Sequence, residues 1–243
     1  MALPKLDLIT YTLELPSTDQ KIIYRPFTVK EEKMLLIAQE SDSGDDIWNV
    51  MKQVVNNCVQ TKIDVDSLAT FDIEFIFMNL RAKSVGEEIT FLLKHKDGIN
   101  SKGEACEHSQ AVKISVDDIK VHKNPNHKTD IKIKDNIGVK MKYPNYETME
   151  RVKSKSSNAI DTQFELIYEM VEFIYDNNGI YNKEDHTREE IIEWLYSMTE
   201  SQLENFKTFF DTMPTLKHVI TYHCSKCGCE EVKTIQGFQN FFL

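Results

Sequence analysis

Glycine is scarce in this chain, with eight residues in 243. So few leave little material for an elaborate phosphate-cradling loop, where a backbone without Cβ atoms must approach its ligand closely. The patterns G-x-S-x-G, G-x-x-x-x-G-K-[ST], G-x-G-x-x-G and H-E-x-x-H are all missing, so the standard hydrolase, nucleotide and zinc-protease sites are excluded. Apolar runs are short as well. Nowhere do about 18 apolar residues follow one another, and the opening "MALPKLDLITYTLEL" lacks the layout of an export signal. A soluble chain without catalytic activity is expected. Cysteine is also uncommon: there are five, an odd number with three crowded near one end. That is a poor disulfide framework and fits a reducing compartment, where clustered thiols more often hold metal.

What is present suits an ordinary globular protein. Apolar residues make up 41% of the chain, enough to supply a core for one large domain or two small ones. Net charge is −10, and it is unevenly placed. Between Asp161 and Asp211 stand 13 acidic residues against Lys183, Arg188 and Lys207, whereas residues 118–155 carry ten Lys or Arg against five acids. Such a dipolar layout suits docking onto proteins better than tracking phosphate, because a duplex binder needs one concentrated positive face. Merely solvated charged faces are the competing reading.

Two alternating runs around Pro16-Ser17-Thr18-Asp19 predict an N-terminal hairpin. Thr28 with Glu31 predicts a helix start, and Ile47, Val50, Met51, Val54, Val55 and Cys58 recur at helical spacing, so Cys58 is expected in the core. A third helix is expected from Thr70, ending near Gly86. Then the period changes: "EEITFLLKH", "QAVKISV" and "DIKIKDNIGVKMKYP", the last with a turn at Asp135-Asn136, predict a small central antiparallel sheet. From Tyr146 the pattern is helical again, with "FELIYEMVEFIYDNNG" read as one helix closing on a left-handed cap at Gly179. Capping boxes at Thr187/Glu190 and Thr199/Gln202 open two more helices before Pro214. The fold class is therefore α+β: residues 1–85 hairpin plus helices, 86–145 central sheet, 146–213 a helical layer and 214–243 a Cys-bearing ribbon, grouped in one or two compact units. His122 and His127, in the polar stretch between the strand pairs, read as exposed loop residues.

The stretch "HCSKCGC" holds the chemistry. Cys224-Ser225-Lys226-Cys227-Gly228 has the form of a metal knuckle, two thiolates three positions apart on a turn that glycine permits. A redox Cys-x-x-Cys is the rival, but that motif normally opens a helix, and this one lies between strand-like runs. A structural Zn2+ ion needs four ligands, so two come from elsewhere: Cys106 with His108, which share a face if that stretch is extended, or Cys229 and His223 beside the knuckle. A weaker reading makes Cys106, His108 and His95 the remnant of a separate site, against an ordinary strand-end histidine for His95. With four protein ligands the ion would stabilise and leave no place for a reacting water.

Aromatic residues supply the other binding signal. Trp48, Trp194, Tyr181, Phe206, Phe209, Phe210 and the closing "GFQNFFL" are more than a small helical layer readily hides, and Phe238, Phe241 and Phe242 need the body or a partner to keep them dry.

Taken together, "PKLDLITYTLELPSTDQKIIYRPFTVKEEKMLLIAQES", "NLRAKSVGEEI", "IGVKMKYP" and "CSKCG" followed by "TIQGFQNFF" resemble, in the same order over nearly the whole length, the baseplate hub protein family of T-even-type contractile-tailed bacteriophages. The resemblance rests on Phe27, Thr28, Glu31 and Glu32, on Arg81, Lys83, Ser84, Gly86 and Glu87, and on Cys224 with Cys227. It implies a virion-assembly role: a small protein made in the host bacterial cytoplasm that helps build the tail baseplate or sits in its hub, with other tail proteins as partners. Arg81 and Lys83 are then read as free to pair with a neighbour's carboxylates. Opposite the knuckle this chain offers Cys106 and His108 where a paired-Cys hairpin is expected, which leaves the coordination open. A zinc-ribbon adaptor touching nucleic acid or a polymerase is the alternative function.

Overall fold

The computed structural model describes residues 6–40, 44–94, 106, 108–155 and 158–237. They form a mixed α and β chain that divides into two units, one from residues 1–65, 71–122 and 215–243, the other from 66–70 and 123–214. The second is thus inserted between strands of the first. Among the described residues no helix is long and apolar enough to cross a membrane.

The first unit opens with the expected hairpin, β1 (Tyr11–Glu14) against β2 (Lys21–Tyr24). Its turn contains Asp19 at φ 56°, and it is pinned by Asp72, whose carboxylate accepts from the Ser17 N–H at 3.0 Å and from the Ser17 hydroxyl. Helices α1 (Val29–Glu40), α2 (Gly44–Cys58) and α3 (Thr70–Ser84) follow. Met51, Val54, Val55 and Cys58 are buried on one side of α2, and burial pushes the Cys58 thiol up to about 11. α3 buries eight residues between Phe71 and Ala82, all apolar except Asp72. Its Met78 and Ala82 join a core with Ile89, Phe91, Ile114, Leu216, Ile220 and Ile235. These last six come from β3 (Glu88–Lys94), β4 (Ser109–Ser115), β10 (Thr215–His223) and β11 (Glu230–Gln236). At the end of α3 the Ser84 hydroxyl accepts from the Phe27 N–H at 2.9 Å, and Gly86 takes φ 149°. Lys83 pairs with Glu87 one turn on.

The second unit is a four-stranded antiparallel sheet ordered β6 (Asp130–Lys134), β7 (Ile137–Met141), β8 (Val171–Tyr175), β9 (Ile180–Asn182). Helices α4 (Tyr146–Lys155), α5 (Ala159–Met170), α6 (Arg188–Tyr196) and α7 (Glu200–Thr212) complete it. Val139, Ile167, Met170, Leu195, Phe206 and Phe209 form its core, so the last two phenylalanines are interior residues. The capping boxes open α6 and α7 as expected, with Glu190 accepting from the Thr187 N–H at 2.9 Å and Gln202 from the Thr199 N–H at 2.8 Å.

Three expectations are corrected. The strands of residues 86–145 do not make one central sheet: β3 and β4 pair with each other, β5 (Lys120–His122) pairs with β10, and β6 and β7 join β8 and β9. The helix expected through Gly179 stops at Met170, since Val171–Tyr175 is β-branched or aromatic at four of five positions and β7 offers it an open ladder. Gly179 lies in a turn in which Asp176 accepts from the Asn178 and Gly179 N–H groups, and it is not a left-handed cap. His127 is not an exposed loop residue. Its ring lies 5.6 Å from Tyr143 and 5.0 Å from Phe209, and its Nδ1 bonds the Thr212 hydroxyl at 2.9 Å.

Gly138 sits opposite Tyr175, whose ring crosses it so that the hydroxyl reaches Asp130 Oδ1 at 2.6 Å. A Cβ there would stand 2.7 Å from Tyr175 Cε1 and closer still to its hydroxyl. Gly138→Ala is expected to swing the ring off the sheet and cost about 1–3 kcal/mol in urea unfolding. The same change made in a Tyr175→Ala background is expected to cost nearly nothing.

Candidate metal centre

The knuckle closes the hairpin of β10 and β11, whose register runs from Lys217↔Gln236 to His223↔Glu230. Gly228 takes φ 74°, its N–H donates to the Cys224 carbonyl at 2.8 Å, and the Cys224 N–H donates to the Cys229 carbonyl at 2.9 Å. The turn aims main-chain N–H groups at sulfur. Cys224 accepts from the N–H groups of Cys227 and Lys226, and these bonds, the Cys227 one foremost, hold its thiol at about 6 against the opposing effect of desolvation.

Cys106 arrives from the other hairpin, just before β4. Gln110 fastens the two together: its side-chain N–H donates to the His223 carbonyl at 3.0 Å, and its Oε1 accepts from the Ser225 N–H at 2.7 Å. Through this clamp the sulfurs of Cys106, Cys224 and Cys227 come within 4.8 Å of one another. The Cys106 and Cys224 sulfurs are 3.9 Å apart. A disulfide would bring them to about 2.0 Å, whereas a tetrahedral ion with bonds of about 2.3 Å spaces its sulfurs by about 3.8 Å. Three nearby cysteines in this arrangement could bind a metal ion. Both Cys106 and Cys224 are shielded from solvent.

The remaining candidates fall elsewhere. The Nε2 atom of His108 is 3.0 Å from the Ser225 hydroxyl, beside the three-sulfur group and not in it. Cys229 engages Cys227 through its N–H and its thiol but is outside the same group. His223 ends β10 with its side chain exposed. His95 and the closing phenylalanines Phe238, Phe241 and Phe242 lie outside the described residues. The Gln110 clamp was not foreseen, and no sequence signal distinguishes that glutamine from other strand residues.

Residues 8–243 match the model of a family described as T4 bacteriophage base plate protein. The chain belongs to this family of phage base plate proteins. Searches of curated proteins and of solved structures each returned no match.

Proposed function

We propose that the chain is a structural or assembly protein of the phage tail's baseplate hub, acting by protein–protein contact and not by catalysis. The family match over residues 8–243 carries this reading. The uneven charge supports it, with 13 acids against three bases between Asp161 and Asp211. So do apolar side chains left outside on one helix, Val29, Leu36 and Ile37 of α1 being 78%, 56% and 58% exposed. On this reading the chain is made in the host bacterial cytoplasm, meets other tail and hub proteins there, and resides in the tail baseplate if incorporated. A structural Zn2+ ion belongs to the same proposal, held by Cys106, Cys224 and Cys227 with His108 as fourth ligand, or with Cys229 or His223 in its place. Such a closed site would lock the terminal hairpin to β4 and supply no reactive water.

The test is genetic and biochemical. A phage lacking this chain is expected to yield no complete baseplates, and the tagged chain is expected to co-purify with other tail proteins. Normal particles from the deletion would overturn the proposal. Steeply salt-dependent binding of the purified chain to DNA or RNA would favour the nucleic-acid adaptor instead.

A further inference from the structure

A cleft of about 390 Å3 lies between α6 and strands β7, β8 and β9 of the four-stranded sheet. That is at the small end of the roughly 300–1,000 Å3 typical of ligand clefts, room for one side chain and the backbone around it. Ile174 and Ile191 give it an apolar lining, Tyr181 and Trp194 add aromatic surface, and Asp176 and Glu190 add two carboxylates. These parts are held in place. The Tyr181 hydroxyl donates to Asp176 at 3.3 Å, Asp176 is itself fixed by the Asn178 N–H at 2.7 Å, and Glu190 is fixed by the Thr187 N–H at 2.9 Å. Among the described residues neither carboxylate forms an ion pair with a lysine or arginine; the basic group beside Glu190 is His186, at 3.6 Å.

The chemistry selects an occupant. Two carboxylates within a strongly acidic segment repel nucleic acid and anionic lipid alike. A neutral apolar segment would strip water from both carboxylates and return no bond to them. An arginine matches the aromatic, acidic and apolar parts of the lining together, because its guanidinium stacks on aromatic faces and donates in a fork to carboxylates while its aliphatic stem packs on the isoleucines. Long-range attraction then works in the same direction as the local contacts.

We propose that this cleft docks an arginine-bearing segment of a protein partner, with the guanidinium against Trp194 and Tyr181 and facing Asp176 and Glu190. The proposal rests on the reading of this chain as a protein-contact component of the baseplate and adds the partner's chemistry to it.

The chain has two tryptophans, so Trp48→Phe leaves Trp194 as the sole reporter in the full-length protein. Titration with a capped tetra-arginine peptide is expected to give a saturable change in Trp194 emission, at least about tenfold tighter than with the neutral tetra-citrulline peptide and weakened by salt. Glu190→Gln keeps the helix cap, as Gln202 does at the next helix, and is expected to weaken binding several-fold, as is Tyr181→Ala. If Trp48→Phe fails to fold, calorimetric titration of the native chain reads the same comparison. Equal affinity for both peptides, no saturable signal, or full affinity in Glu190→Gln would overturn the proposal. Co-purification with tail proteins that survives Tyr181→Ala and Glu190→Gln together would sink this inference alone, leaving the hub reading intact; a chain that captures no tail protein in any form would sink that reading.

Discussion

Replacing Cys224 by alanine is expected to abolish metal binding and to cost the first unit on the order of 4–5 kcal/mol, the largest effect of any single change considered. The magnitude follows from topology. Cys106 and Cys224 are 118 positions apart, and a cross-link closing a loop of about 100 residues removes roughly 4.7 kcal/mol of entropy from the unfolded chain in the loop-closure model. A metal clip between the same residues acts through the same term. Protein purified without chelator is expected to carry about one zinc per chain by elemental analysis, as a single closed site requires, and Cys224→Ala is expected to carry none. Cys58→Ala, which removes a buried thiol remote from the cluster, is expected to keep its metal. Separate His108→Ala, Cys229→Ala and His223→Ala chains then identify the fourth ligand by which one loses affinity. Less than half an equivalent of zinc in the native chain would end the zinc proposal.

The second large effect concerns Glu31, one of the buried charges of the first unit, at 2% exposure. Burial by itself would raise the Glu31 pKa. Hydrogen bonds from Arg25 and from Thr28 outweigh it and hold the carboxyl at about 2, well below its ordinary 4.5. The contacts explain why. Arg25 donates to Glu31 at 3.0 Å and to the Asn57 carbonyl at 3.1 Å, and Thr28 offers Glu31 both its N–H at 2.8 Å and its hydroxyl at 2.6 Å. This carboxylate therefore joins the end of β2, the start of α1 and the end of α2. Glu31→Ala is expected to cost about 2–3 kcal/mol, below the 3–5 kcal/mol of a fully buried pair because Arg25 keeps some access to water. Because the folded pKa lies under the unfolded one, the stabilisation is complete above pH 4.5 and declines as pH falls toward about 2. Urea midpoints at pH 7 and pH 3 are expected to differ less for Glu31→Gln than for the native chain. An equal difference in both would rule out this carboxylate as a source of acid sensitivity.

A conflict between local and distant signals explains where the α5 expectation failed. Phe164, Ile167, Tyr168, Val171 and Ile174 do fall on one face of an ideal helix. The stripe holds only through Met170, because Val139 and Lys140 of β7 pair with Ile174 and Phe173. Nothing within residues 164–179 announces that partner. By contrast Thr187 and Thr199 marked their helices correctly, since a capping box is satisfied entirely within four residues.

The amino-acid order by itself determined the α+β character, the capped starts of α1, α6 and α7, the buried stripe of α2 and the knuckle that closes β10 and β11. Each of these depends on spacings of a few residues, on side chains that bond their own backbone, or on a glycine where a turn needs positive φ. Only the tertiary structure decided which strands shared a sheet, where α5 gave way to β8, that His127 would pack against the rings of Tyr143 and Phe209, and that Cys106 would lie 3.9 Å from Cys224. Those outcomes rest on pairings between distant segments, where an open strand edge or a sulfur finds its partner through the packing of the whole unit.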